Sequence, residues 1–154
     1  MIQRIQSIFL LLTTILMGAT FVIPSLEITS EGLKFSSILF NSLGIFDNSI
    51  SYHAWGAAIF CALSAIVAFL NIFLYKKRML QIKLGLFTAL LIAIYYVTAA
   101  FYVNAFLDKM ITPEYSLNIQ LGIIFPVLAL IFDLLAVSRI KKDEKLVKSL
   151  DRIR

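Results

Sequence analysis

The sequence predicts an all-α membrane protein, an antiparallel four-helix transmembrane bundle with a small β-hairpin in the first outer loop. Three observations carry that expectation. Of 154 residues, 60% are hydrophobic and 15% charged, and the mean hydropathy is +0.91, whereas a soluble domain is roughly 45–50% apolar and about 25% charged. The charges are also excluded from long stretches: residues 5–26, 48–75 and 84–107 carry none, and 115–138 carry only Asp133. Each stretch is long enough for the roughly 20 helical residues that cross a bilayer core. Finally, the basic residues collect at one set of span ends, as multi-pass proteins require.

In chain order, the first span is expected over about 5–23, ending at Pro24. Its uncharged run exceeds the 7–15 residues typical of a signal-peptide core, so retention as a span is expected. The outer loop 24–51 follows. There Ile28, Leu33 and Phe35 alternate with polar neighbours around Ser30-Glu31-Gly32, the pattern of a hairpin over 26–30 and 33–37. The remaining spans are expected over about 52–75, 84–106 and 117–138, with a basic tail at 139–154. The whole chain reads as one membrane domain without an internal repeat.

Of the 14 Lys and Arg, 12 fall on one face: Arg4, Lys76, Lys77, Arg78, Lys83, Arg139, Lys141, Lys142, Lys145, Lys148, Arg152 and Arg154. The other face holds Lys34 and Lys109 beside five acids. The positive-inside rule then puts both termini and the middle connection in the cytoplasm. Tyr52, Trp55 and Tyr102 fall where an outer aromatic belt belongs, and Tyr75 where an inner one does. His53 beside Trp55 reads as an interfacial ring.

Lipid tails are as apolar as leucine, so helices in a bilayer associate through small residues that let backbones approach. Such stripes run through Ala54, Ala58, Cys61, Ala65 and Ala68, through Gly85, Ala89, Ala93, Tyr96, Ala100 and Asn104, and through Gly122, Pro126, Ala129, Asp133 and Ala136. Cys61 is expected to pack, as are Tyr95 and Tyr96. Pro126 removes the hydrogen bond to the Gly122 carbonyl and is expected to bend the fourth helix. Asn71 and Asn104 are expected at span ends, within reach of water. Asp133 is the one acid inside a span. An ionised group there costs about 2.5–3.5 kcal/mol at mid-membrane on insertion scales. The expected arrangement is an ion pair with Arg4, with Lys83 as the second choice.

Arg139, Lys141, Lys142, Lys145, Lys148, Arg152 and Arg154 lie opposite an apolar stripe of Ile140, Val147 and Leu150. That tail is expected to continue the fourth helix and to lie on anionic headgroups or dock a partner helix. A single cysteine and a single histidine exclude a disulfide-cycling mechanism and His/Cys zinc or bis-His haem sites. No phosphate-cradling or zincin motif is present, so no cofactor is expected. The basic residues flank apolar spans, which points to lipid and not to nucleic acid.

At the termini, Met1-Ile-Gln-Arg-Ile-Gln-Ser-Ile-Phe-Leu10 and Lys142-Asp-Glu-Lys-Leu-Val-Lys-Ser-Leu-Asp-Arg-Ile-Arg154 resemble the ends of a small integral membrane family of Bacteroidota, domain of unknown function 4293. The resemblance covers the whole chain and implies a four-span protein of a Gram-negative inner membrane, without implying an activity. It directs interest to Gln3, Arg4, Asp143, Glu144, Lys148, Ser149, Asp151 and Arg152, and suggests termini that touch each other or a common partner. A looser likeness, to claudin-like tetraspan proteins, is architectural only: their outer-loop Trp and paired Cys are missing here.

The function expected from these residues is that of a non-enzymatic subunit or assembly factor holding another membrane protein or a second copy of itself. A small transporter or channel using Asp133 is the alternative. A lipid- or quinone-acting enzyme is the third; it would draw on His53 with Asp47, or Asp108 with Glu114.

Overall fold

A computed structural model describes residues 2–23, 25–30, 33–37, 43–44, 51–52, 55–75, 77–108 and 116–151. Four helices carry the chain up and down: α1 (Ile2–Ala19), α2 (Trp55–Phe73), α3 (Arg78–Leu107) and α4 (Ile124–Asp151). Each packs on its neighbours in sequence, and α1 closes the ring on α4. α2, α3 and α4 are long and apolar enough to cross a membrane, whereas the apolar part of α1, Ile5–Ala19, is shorter. Beyond Ala19 the chain continues in turns, with Thr20, Val22 and Ile23 still donating to carbonyls of α1.

A 3.5-residue step governs the inward faces. Buried residues recur as Gln6, Leu10, Thr13 and Met17 on α1, with Thr20 in the turn that follows it, and as Ala57, Cys61, Ser64, Ala68 and Asn71 on α2. On α3 they are Gln81, Gly85, Thr88, Ile92 and Tyr95, and on the last helical segment Gly122, Pro126, Ala129, Asp133, Ala136 and Ile140. Alternating four- and three-residue steps keep one seam facing inward in a left-handed bundle. Met17, Ala57, Cys61, Ile92, Tyr95 and Ala129 form the main apolar cluster, to which all four helices contribute. Large apolar side chains such as Ile15, Phe69, Leu90 and Ile131 point outward, as lipid-facing positions do.

One end of the bundle carries a five-stranded antiparallel sheet in the order β4-β3-β2-β1-β5. β1 (Leu26–Ser30), β2 (Leu33–Ser37), β3 (Leu43–Gly44) and β4 (Ser51–Tyr52) lie between α1 and α2, and β5 (Ser116–Ile119) lies between α3 and α4. β5 pairs with β1, Leu26 opposite Ile119, and Gln120 N–H extends the ladder to the Ser25 carbonyl at 3.2 Å. The sequence signals only two of these strands; β3 and β4 are two residues each, too short for a period to register.

α4 corrects an expectation. Pro126 is fully buried but sits in the helix's first turn, which begins at Ile124 after a 3₁₀ turn over Leu121–Ile123. There a missing N–H costs nothing, because the first turn has no intrahelical acceptors for its donors. Proline starts this helix instead of bending its middle. The Tyr96 hydroxyl donates to the Ile123 carbonyl at 2.7 Å and fixes this start against α3. At the same end Gly56 N–H donates to Tyr102 Oη at 3.3 Å, so an aromatic expected in the outer belt also caps α2. Trp55 and Tyr75 are exposed; the side chain of Tyr52 lies outside the described residues.

Candidate functional site

The end opposite the sheet holds the polar interior. Asn71 lies on α2 two residues before its end, and Gln81 on the first turn of α3. They are joined reciprocally: Asn71 Nδ2 donates to the Gln81 carbonyl at 3.1 Å, and Gln81 Nε2 to the Asn71 carbonyl at 3.2 Å. Asn71 is therefore not at a wet span end, as expected, but wholly enclosed. Its proximity to Gln81 follows from the tight connection, in which Lys77 N–H bonds to the Leu74 carbonyl at 2.9 Å and α3 starts at once. Asn104, by contrast, is exposed.

One turn beyond Gln81, Gly85 lets α3 press on α4. A β-carbon at Gly85 would overlap Val137 Cγ2, and would stand 3.7 Å from Asn71 Nδ2 and 3.8 Å from Asp133 Oδ1. Thus three helices bring Asn71, Gln81 and Asp133 around one glycine. Asp133 has no exposed surface. Neither of its oxygens, nor Asn71 Oδ1, has a hydrogen-bond partner among the described residues. The orientation of the Asn71 amide is fixed chemically, because only its NH₂ can donate to the Gln81 carbonyl.

The expected partners of Asp133 fall differently. Lys83 is exposed. The side chain of Arg4 lies outside the described residues, so the Arg4–Asp133 pair does too. The packing of α1 on α4 gives the levels: Phe9 stacks on Phe132 with ring centroids 6.1 Å apart, and Thr13 Oγ1 donates to the Ala129 carbonyl at 3.3 Å. Because the two helices are antiparallel, Asp133 lies about level with residues 8–9 of α1, roughly 7 Å along the axis from position 4 at 1.5 Å per residue.

Nearer the helix ends, Gln6 Nε2 donates to Asp143 Oδ2, and Arg78 Nη1 reaches the Asp143 carbonyl at 3.4 Å. The N-terminal and C-terminal helices therefore touch through a residue of the C-terminal motif. α4 runs unbroken to Asp151. Along it Ile140 is buried, Leu146 and Val147 are exposed, and Arg139, Lys141, Lys142 and Lys145 are exposed as well; the side chains of Lys148, Leu150, Arg152 and Arg154 are outside the described residues.

The small-residue stripes divide. Cys61, Gly85, Gly122, Pro126 and Ala129 are buried, while Ala58, Ala65 and Ala89 are half-buried. Ala93 and Ala100 are exposed, on the opposite side of α3 from Thr88, Ile92 and Tyr95. Ala54, His53, Asp47 and Glu114 lie outside the described residues, and Asp108 is exposed. The Cys61 thiol donates to the Met17 carbonyl at 3.4 Å inside the apolar cluster. Among the described residues, no three His, Cys, Asp or Glu side chains gather closely enough to hold a metal ion.

Four packed helices, three of them able to cross a bilayer, define a membrane-embedded helical protein with a polar site enclosed near one end. The chain belongs to the family described as a domain of unknown function, DUF4293, which matches residues 2–153. No curated protein matches the chain.

Proposed function

We propose that this is a non-enzymatic, four-span protein of the bacterial inner membrane that serves as a subunit or assembly factor of a membrane complex. Both termini are on the cytoplasmic side in this reading, because the basic residues cluster there. α1 counts as the first span: its apolar part is about 22 Å long at 1.5 Å per residue, and a short span is accommodated by local thinning or by association.

The observation that carries the reading is the outward face of α3. Ala93, Ala100 and Asn104 are exposed along that helix, although small and polar residues favour helix contacts over lipid. That face suits close approach by a helix of another membrane protein or of a second copy. The exposed Arg139, Lys141, Lys142 and Lys145 would at the same time hold the tail of α4 on anionic headgroups, each contributing roughly 1 kcal/mol.

Purification of a tagged copy in mild detergent, with sizing and mass spectrometry, tests the reading. A stoichiometric companion, or a homo-oligomer, lost in Ala93→Leu with Ala100→Leu is the expected result. A monomer unaffected by those changes overturns it. The enclosed Asp133 favours the transporter reading as the alternative, and that reading predicts flux into liposomes abolished by Asp133→Asn with folding intact.

A further inference from the structure

We propose that Asp133 and Asn71 form a cation-binding site within the bundle, loaded by a proton or by a small alkali cation such as Na⁺. The inference is independent of the partner-holding reading above. It begins with an imbalance of donors and acceptors. Three buried acceptor oxygens, two on Asp133 and Oδ1 of Asn71, have no donor among the described residues. Buried polar atoms are ordinarily paired, and a buried carboxylate is costly unless it is neutralised.

The surrounding donors are committed elsewhere. Asn71 Nδ2 and Gln81 Nε2 each place one N–H on the other's backbone carbonyl, and the second N–H of neither reaches Asp133 or Asn71 Oδ1 within hydrogen-bond distance. The Thr88 hydroxyl donates to the Leu84 carbonyl at 3.0 Å, and the Ser64 hydroxyl to the Cys61 carbonyl at 2.7 Å. On α1, Thr13 Oγ1 is engaged with the Phe9 and Ala129 carbonyls, and Gln6 with Asp143.

Charged groups on the packed elements face away or lie at the helix ends. Lys83 of α3 and Arg139 of α4 are exposed, Arg78 points to the Asp143 carbonyl, and α2 contributes no charge between Trp55 and Phe73. The side chain of Arg4 of α1 lies outside the described residues, and the test includes it. Gly85 completes the arrangement, since a β-carbon there would be in van der Waals contact with both Asn71 Nδ2, at 3.7 Å, and Asp133 Oδ1, at 3.8 Å, which places the two side chains beside the same point of α3.

A single carboxylate sets the class of ligand. One positive charge balances it, and oxygen donors suit a proton or a hard alkali ion. Gly85 is about 10 Å along α3 from Arg78 at 1.5 Å per residue, so the basic end is the nearer one for exchange.

The test is infrared difference spectroscopy on the full chain in nanodiscs, stepping pH in choline chloride and again in NaCl. The expected result is a protonated-carboxyl band that is missing in Asp133→Asn. Its intensity falls about tenfold for each pH unit above its midpoint. If the amide variant does not fold, Asp133→Glu keeps the acid and moves the band. Na⁺ at ten times its dissociation constant, cutting the band about tenfold at a fixed pH above the midpoint, identifies an alkali-cation site. A band indifferent to Na⁺ identifies a proton site. A wild-type protein with no such band at any pH, and no Na⁺-dependent change in its ionised-carboxylate band, overturns the proposal. A band that emerges only in Arg4→Gln overturns it in favour of the ion pair.

Discussion

Asn71 and Gln81 each donate a side-chain amide to the other's backbone carbonyl, at 3.1 and 3.2 Å, across the connection between α2 and α3. The pair holds the two helices at a fixed angle where they reverse. Asn71→Leu or Gln81→Leu is expected to cost about 0.5–1.5 kcal/mol each. Because the residues act together, the double variant should cost measurably less or more than the two singles combined. Reversible unfolding in bicelles provides the measurement, and strict additivity would show that the two bonds are independent.

Gly85 and Val137 set the distance between α3 and α4. A β-carbon at Gly85 has nowhere to go but into Val137 Cγ2, so Gly85→Ala is expected to destabilise the bundle by about 1–3 kcal/mol through overpacking. Val137→Ala in the same chain should recover part of that loss. Thermal denaturation in detergent, followed by circular dichroism, distinguishes recovery from a further loss.

Gln6 and Asp143 tie α1 to α4 at the basic end. A hydrogen bond to a charged acceptor contributes about 1.5–3 kcal/mol where it is shielded. Gln6→Ala should therefore loosen the N-terminal turn of α1, and Asp143→Asn should have a smaller effect. Hydrogen exchange at the first turn of α1 is the readout, with faster exchange expected in Gln6→Ala.

Proline and tyrosine at the start of α4 make opposite predictions. Pro126→Ala is expected to change stability by less than about 1 kcal/mol, because the residue occupies a first turn that tolerates either. Tyr96→Phe should cost about 0.5–1.5 kcal/mol by freeing the Ile123 carbonyl. A large effect of Pro126→Ala would mean that the helix begins before Ile124.

The bundle was legible because charge and hydropathy separate membrane helices from their ends, and three of the four helices carry that signal in full. The inward face of α4 was legible too: Gly122, Pro126, Ala129, Asp133 and Ala136 are all buried. On α3 only Gly85 of the expected stripe, and Tyr95 beside it, are buried, and on α1 no stripe was legible. Searching for alanine and glycine chose Ala93 and Ala100, whereas the interior takes Thr88, Ile92 and Tyr95. Threonine qualifies because its hydroxyl turns back to the carbonyl four residues earlier, as Thr13 and Thr88 do, and presents a small satisfied surface. The Asn71–Asp133 neighbourhood was hidden for a different reason: it is built from three helices, and its spacing exists only in the packed bundle. β5 was hidden likewise, since a four-residue strand gains meaning only from its partner β1.

The sheet order also dictates a sequence of events during synthesis. β1 leaves the ribosome long before β5, yet the register Leu26 to Ile119 requires both. Until α3 and the segment after it have been made, one edge of β1 displays unpaired backbone groups, a template for any passing strand. Completion of the sheet is thus a late event, which reports that the chain has been made through α3 and β5. A copy stalled after α3 would carry an open edge, visible to quality-control proteases that a finished copy escapes.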